Sequence, residues 1–236
     1  MNVGELLRET LELYRRNARI VLVSTVPIIL IVTFLTALGL GELSAKLNPA
    51  PPARDLYIDV LASELVTVPL ISSILARWVY LRRRGEQTTI ADLVAGALEV
   101  FPAVLLVVVA WFAVAVIGLV TLVIPGIYVA VSWYFVVQAV VIDGDRGFAP
   151  IARSAVAVRG RWWQSLGTGL AVQLTAFIPQ LILAYAFTPV ARSANSYAIV
   201  VVAVALARVI AMPFVAIGGT LYYLQLRETA LPSGRF

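Results

Sequence analysis

The chain has 236 residues, of which 61% are hydrophobic and 13% charged, and its formal net charge at pH 7 is +5. A water-soluble globule of this length needs more polar surface than that, so the composition indicates an integral membrane protein. The sequence contains no histidine and no cysteine. Their absence excludes thiol nucleophiles, disulfides, metal sites built from these two residues and acid–base catalysis by histidine.

The first predicted element is an amphipathic helix over residues 2–18. At 100° per residue its apolar side chains lie on one side and its charged side chains on the other. The apolar side is formed by Val3, Leu6, Leu7, Leu11, Leu13 and Tyr14, and the charged side by Glu5, Arg8, Glu9, Glu12, Arg15 and Arg16. Such a helix lies in the membrane interface or packs against a helical bundle.

Six membrane crossings are predicted after this helix. The strongest signal is the uncharged run from Val100 to Ile142, which as one helix would be roughly 65 Å long, whereas the hydrocarbon core of a bilayer is about 30 Å thick. Pro125 and Gly126, near its middle, predict the hinge of a tight hairpin between two crossings. The six predicted spans are about 20–40, 56–81, 100–122, 125–142, 165–190 and 197–226.

A second amphipathic helix is predicted at about 148–162, between the fourth and fifth crossings. Its apolar face is formed by Phe148, Ile151, Ala155, Val158 and Trp162. The predicted fold is therefore an all-α polytopic membrane bundle of six transmembrane helices plus N-terminal and mid-chain amphipathic interfacial helices. We interpret residues 1–236 as a single integral membrane domain.

The distribution of basic residues predicts the orientation of the bundle. With six crossings one side receives most of the arginines, whereas the other side receives Lys46, Arg54 and Arg192. Because basic residues resist translocation, both termini are expected to be cytoplasmic in a multi-pass protein of the cell (plasma) membrane. The arginines of the richer side are Arg8, Arg15, Arg16, Arg19, Arg82, Arg83, Arg84, Arg146, Arg153, Arg159, Arg161, Arg227 and Arg235.

Several of these residues are candidates for contact with lipid headgroups. A positive cytoplasmic face with aromatic side chains at headgroup level is suited to anionic lipid. The alternative is that these arginines only enforce topology. Nucleic acid is not expected as a partner, because no soluble module presents the charge. The candidates are Arg82, Arg83, Arg84, Arg153, Arg159 and Arg161, with Trp162 and Trp163.

Two charged residues lie at mid-membrane depth in the predicted spans. Estimated along the helices, Glu64 and Arg208 differ in depth by only roughly 5 Å, so an interhelical pair between them is predicted. Gln173 and Gln180 are its candidate polar neighbours. A structural interpretation makes the pair a register-fixing contact, and a functional one makes it a substrate or proton site.

These patterns leave three functional classes open. The first is a non-catalytic membrane module that organises lipid or a partner protein at the cytoplasmic face, alone or as a homo-oligomer. The second is a small transporter or channel subunit with a polar intramembrane site at Glu64 and Arg208. An intramembrane enzyme is third, because no nucleophile–base pair, metal-ligand cluster or cofactor motif is visible. We therefore expect no enzymatic activity, no metal and no cofactor.

Short motifs spread over nearly the whole chain carry a family resemblance. They are Val3-Gly4-Glu5-Leu6-Leu7-Arg8, Leu13-Tyr14-Arg15-Arg16-Asn17, Pro125-Gly126-Ile127-Tyr128, Trp133, Asp143, Arg153-Ser154, Val158-Arg159-Gly160, Trp162, Pro213, and Thr220-Leu221-Tyr222-Tyr223 before Arg227. In these motifs the chain resembles the membrane domain fused to some bacterial glycerophosphodiester phosphodiesterases, a domain with many stand-alone relatives. That family more often has glutamate where this chain has Asp143. Its phosphodiesterase activity belongs to a separate soluble barrel domain, so the resemblance implies membrane residence and no catalytic residue.

Overall fold

The computed structural model describes residues 2–42, 58 and 61–230, and every regular element in these ranges is a helix. Six of the eight helices described are long and apolar enough to cross a bilayer, and the two that are not are Val3–Arg16 and Ala149–Val158. The predicted all-α polytopic fold is therefore confirmed. In chain order the helices are α1 (Val3–Arg16), α2 (Ala18–Gly39), α3 (Ser63–Arg83), α4 (Ile90–Thr121), α5 (Val123–Asp143), α6 (Ala149–Val158), α7 (Trp162–Ala194) and α8 (Tyr197–Ala230).

Helices α3 and α8 form the centre of the bundle. Helix α3 packs against α4 and α8, and α8 also contacts α1, α2 and α7. Large side chains of both helices are fully buried there, and they include Ile71 and Leu75 of α3 and Ile217 and Tyr223 of α8. Because α8 is apolar on nearly every side, it can be enclosed by several helices at once.

The outer surface of the helices is apolar as well. Val120 and Ile124, beside the turn between α4 and α5, are 84% and 81% exposed. An apolar surface of this kind is unfavourable in water but matches the hydrocarbon of a bilayer. The six apolar helices and this surface identify the chain as a multi-pass membrane protein.

Several helix boundaries differ from the predicted ones, and two of the differences have a clear local cause. Helix α4 begins at Ile90 rather than near Val100, because the side chains of Thr89 and Asp92 form a capping box at its N terminus. Helix α6 ends at Val158, before residue 162, because Gly160 has a left-handed backbone with φ of 81°. The first part of the predicted 56–81 span lies mostly outside the described residues, as do Lys46 and Arg54.

The hairpin between α4 and α5 turns earlier than predicted. Leu122 makes the reversal with an extended backbone (φ −150°, ψ 108°). Pro125 and Gly126 lie just inside α5, where the missing N–H of proline costs nothing, since the first N–H groups of a helix have no partner. Gly126 allows the two helices to touch, since a Cβ there would lie 2.4 Å from the Leu119 backbone nitrogen.

The N-terminal and C-terminal ends of the described chain lie at the same end of the bundle. The Arg83 guanidinium lies 3.0 Å from the Glu9 carboxylate in α1 and 3.5 Å from the Glu228 carboxylate near the end of α8. Arg161, before α7, donates to the Thr229 hydroxyl at 2.6 Å. We call this the arginine-rich end. It comprises α1, the last turn of α3, α6, the loops 84–89, 144–148 and 159–161, and the last turns of α8.

Candidate functional sites

The helical bundle contains a partly open cavity of about 130 Å³, and its described lining residues all belong to the membrane-spanning helices. Its walls come from α3, α4, α5, α7 and α8. Of the lining residues that the structure describes, Glu64 is the one that carries a charge. The polar and aromatic lining residues are Glu64, Ser72, Trp111, Trp133, Tyr134, Gln138 and Gln173.

Glu64 enters the cavity from a π-helical turn. Helix α3 begins with this turn, Ser63–Thr67, in which the Val68 N–H bonds to the Ser63 carbonyl. Pro69 follows directly and has no N–H to donate, so regular α-helical bonding cannot be complete here. Single π-helical turns occur often at functional sites because they redirect side chains.

Gln138 lies on another wall of the cavity, at the start of the second π-helical turn, Ala139–Asp143. The residue is only 5% exposed, and its Oε1 atom has no hydrogen-bond partner among the described residues. A buried carbonyl oxygen without a donor is unfavourable and marks a place where a donor can bind. Sequence reasoning did not single out Gln138, although it is a polar residue inside an uncharged apolar run.

Arg208 and Glu64 are not both part of this cavity. The Arg208 Nη1 atom donates to the Thr33 hydroxyl of α2 at 3.2 Å, while the positive charge acts through space on the Glu64 carboxyl. A direct ion pair between these two side chains stays a prediction. Of the two predicted polar neighbours, Gln173 lines the cavity and Gln180 does not.

A largely apolar groove of about 230 Å³ adjoins the cavity between α4, α5 and α7. Trp111, Tyr134 and Gln173 line both spaces. The remaining lining of the groove is almost entirely apolar, and its members include Leu166 and Leu170. Polar and apolar binding surfaces are therefore continuous at membrane depth.

A second cluster of polar residues lies at the arginine-rich end, around the carboxylate of Asp143. The Asp143 side chain is 4% exposed, and its Oδ1 atom lies 2.9 Å from the Arg227 Nε atom. Tyr223 donates its hydroxyl to Oδ2, and the Arg153 Nε atom lies 3.9 Å from the same oxygen. Asp143, Arg153, Tyr223 and Arg227 all belong to the motifs that carry the family resemblance, so the fold brings distant motifs into contact.

Arg153 also binds Asp145, which sequence reasoning did not single out. Its Nη2 atom lies 3.2 Å from Asp145 Oδ1, and its Nε atom donates to Oδ2. This hydrogen bond raises the pKa of Arg153, so the guanidinium stays charged. The neighbouring Ser154 hydroxyl bridges the Ser132 carbonyl at 2.9 Å and the Phe135 N–H at 3.1 Å, satisfying the backbone where α5 is interrupted.

The six arginines predicted to contact headgroups fall into two groups. Three are held by carboxylates: Arg83 by Glu9 and Glu228, Arg84 by Glu86, and Arg153 by Asp143 and Asp145. Arg82, Arg159 and Arg161 are exposed and have no carboxylate partner within the described part of the chain. Only this second group is available to bind anions.

The two predicted headgroup tryptophans also differ in their surroundings. Trp162 stacks on Tyr128 with ring centroids 6.0 Å apart and donates its indole N–H to the Tyr128 carbonyl at 3.4 Å. Trp163 packs edge-on against Trp162 and is 78% exposed. Trp163 is therefore the side chain free to lie among headgroups, and Trp162 anchors α7 to α5.

Comparison with protein-family models, with curated proteins and with solved structures gives no match to this chain. The sites are therefore interpreted from their own chemistry. Within residues 2–42, 58 and 61–230, no group of three or more acidic residues is arranged to hold a metal ion. The arrangement offers anion binding by exposed guanidinium groups at one end and recognition of hydrogen-bond donors in the membrane interior.

Proposed function

We propose that the protein is a non-catalytic membrane module whose arginine-rich end faces the cytoplasm and binds anionic lipid headgroups in the plasma membrane. One observation supports this most strongly: Arg82, Arg159 and Arg161 are exposed and have no carboxylate partner among residues 2–42, 58 and 61–230. The exposed ring of Trp163 follows Arg161 by two residues in the chain. Guanidinium groups bind phosphate well because their planar fork of N–H donors matches the spacing of two phosphate oxygens and the two groups carry opposite charges. An acidic surface on a membrane-protein partner, or on a second copy, presents the same chemistry.

The proposed relationship to the membrane domain of glycerophosphodiester phosphodiesterases fits this function. The motif residues Asp143, Arg153, Tyr223 and Arg227 hold α5, α6 and α8 together at the arginine-rich end. Helix α6, which carries Arg153, is followed directly by the loop with Arg159 and Arg161. The shared motifs would then preserve a lipid-facing platform rather than a reaction.

Removing the three unpaired arginines is expected to abolish selection of anionic lipid. Each arginine near a charged membrane surface contributes about 1 kcal/mol, so Arg82→Gln, Arg159→Gln and Arg161→Gln together should lower the retained anionic-to-zwitterionic lipid ratio at least about fivefold. Mass spectrometry of lipids that remain bound through detergent purification measures this ratio.

The matched control is Arg192→Gln, which removes one exposed arginine at the last turn of α7, away from the arginine-rich end. We compare it with the single variant Arg159→Gln. The retained anionic-to-zwitterionic lipid ratio should be lower for Arg159→Gln and should stay at the wild-type value for Arg192→Gln. Equal ratios in the wild type and the triple variant would rule the proposal out.

A second candidate function, a small transporter or channel subunit, is favoured by the cavity at Glu64. Transport needs a polar site that substrate can enter within the bilayer, and such sites lie between helices near the midplane.

A further inference from the structure

From the intramembrane cavity we infer a binding site for a lipophilic primary ammonium, with the charged nitrogen at Glu64 and Gln138 and the apolar part in the adjoining groove. This inference rests on the site of the second candidate function, but binding at the site does not require transport.

The charge of the ligand follows from the lining. Among the described lining residues Glu64 is the one that carries a charge, and Arg208 is not part of this lining. A carboxylate in a low-dielectric interior binds a cation that can also donate hydrogen bonds far better than a neutral molecule. An anion would meet the Glu64 carboxylate, and the lining described at this cavity offers no basic residue to compensate.

The orphaned Gln138 oxygen selects a cation that carries N–H groups. Its Oε1 atom is buried and without a partner among the described residues, so a donor that reaches it recovers the lost hydrogen bond. A quaternary ammonium has no N–H proton to donate. A primary ammonium has three, enough to serve Glu64 and Gln138 together.

The aromatic lining and the size of the cavity set the shape of the ligand. Trp111, Trp133 and Tyr134 line the cavity, and aromatic faces attract cations. A cavity of about 130 Å³ is close to the engineered cavity of about 150 Å³ that holds benzene, so it admits a small headgroup. Larger apolar parts continue into the groove beyond Trp111 and Tyr134.

The test uses 2-phenylethylammonium, with neutral 2-phenylethanol as the matched ligand control. The protein is reconstituted in phosphatidylcholine nanodiscs at pH 7, where a primary alkylamine is protonated. Tryptophan fluorescence follows binding at Trp111 and Trp133, and the melting temperature reports stabilisation by bound ligand. We expect saturable binding of the amine, and an affinity for the alcohol that is lower by about tenfold or more.

Three variants locate the site. Glu64→Gln should weaken amine binding about tenfold or more, since it removes the charge and keeps the shape. Gln138→Leu should weaken it severalfold while leaving the melting temperature of the unliganded protein unchanged or higher, because an orphaned acceptor is replaced by an apolar group. Glu99→Gln, which removes an exposed carboxylate of α4 outside the cavity, should bind like the wild type.

Two further measurements follow. One identifies the source of the amine, and the other tests whether the protein transports it. Adding phosphatidylethanolamine to the nanodiscs should compete with the probe if the natural ligand is a lipid headgroup, and should not compete if it is a free amine. Flux of the amine into liposomes, lost in Glu64→Gln, would support transport; binding without flux retains the ligand site and ends the transport proposal. No saturable binding, or wild-type affinity in Glu64→Gln, overturns the inference itself.

Discussion

Replacing Asp143 with alanine is expected to lower the free energy of unfolding by about 2–4 kcal/mol and the melting temperature in detergent by roughly 5–15 °C. The carboxylate is buried and accepts from Tyr223 while pairing with Arg227 at 2.9 Å. Without it, the Tyr223 hydroxyl and the Arg227 guanidinium lose their acceptor, and Arg153 loses one carboxylate partner while it retains Asp145. The effect is below that of a fully buried pair, because Arg227 and Arg153 reach solvent with about a third of their side-chain surface.

The control for Asp143 is an ion pair that is exposed on both sides. Glu12 and Arg16 in α1 lie 3.9 Å apart with 58% and 78% of their side chains exposed. Water screens such a pair, so Glu12→Ala should cost less than about 1 kcal/mol. The loss of unfolding free energy for Asp143→Asn should lie between those for Asp143→Ala and Glu12→Ala, since the amide oxygen still accepts from Tyr223 but carries no charge. Equal melting of Asp143→Ala and Glu12→Ala would show that the cluster does not hold the helices together.

Replacing Gly126 with alanine is expected to destabilise the protein by about 3 kcal/mol through overpacking of the α4–α5 hairpin. An added Cβ would lie 2.4 Å from the Leu119 nitrogen and 2.7 Å from the Gly118 carbonyl carbon. Both are backbone atoms, so no side-chain rotation can relieve the contact. The two helices would have to separate, which also weakens the Trp111 indole bond to the Ala130 carbonyl at 3.3 Å.

The same substitution at another glycine provides the control. Gly167 lies in α7, and a Cβ added there meets nothing within 4 Å. Gly167→Ala should therefore leave stability unchanged or raise it by about 0.5–1 kcal/mol, because alanine is the better helix former. Thermal unfolding of both variants in one detergent measures the difference. A Gly126→Ala protein as stable as Gly167→Ala would contradict the close approach of the helices.

Elements that depend on local composition were predictable from the sequence. Apolar runs of sufficient length set the six spans, and helical periodicity identified α1 and α6. The turn of the α4–α5 hairpin was placed at Pro125 instead of Leu122. Proline is compatible both with a turn and with the first turn of a helix, so sequence alone does not distinguish the two positions.

Contacts between distant parts of the chain were beyond sequence reasoning. Asp143 meets Arg227 only because α5 and α8 come side by side, and the pattern within either helix does not indicate this partner. Glu64 was recognised as functionally interesting from its depth, but its cavity partner Gln138 was overlooked. Which polar side chains share a cavity depends on helix rotation and on the two π-helical turns, and neither follows from hydrophobic periodicity.

Labelling of single introduced cysteines tests most directly the claim that six crossings leave the arginine-rich end in the cytoplasm. The chain has no cysteine of its own, so all labelling of the protein comes from the introduced residue. The two single variants are Gln87→Cys in the loop before α4 and Ser193→Cys at the end of α7. In intact cells a membrane-impermeant maleimide should label Ser193→Cys at once and Gln87→Cys only after permeabilisation. Labelling of Gln87→Cys in intact cells, or of neither site before permeabilisation, would contradict the proposed topology.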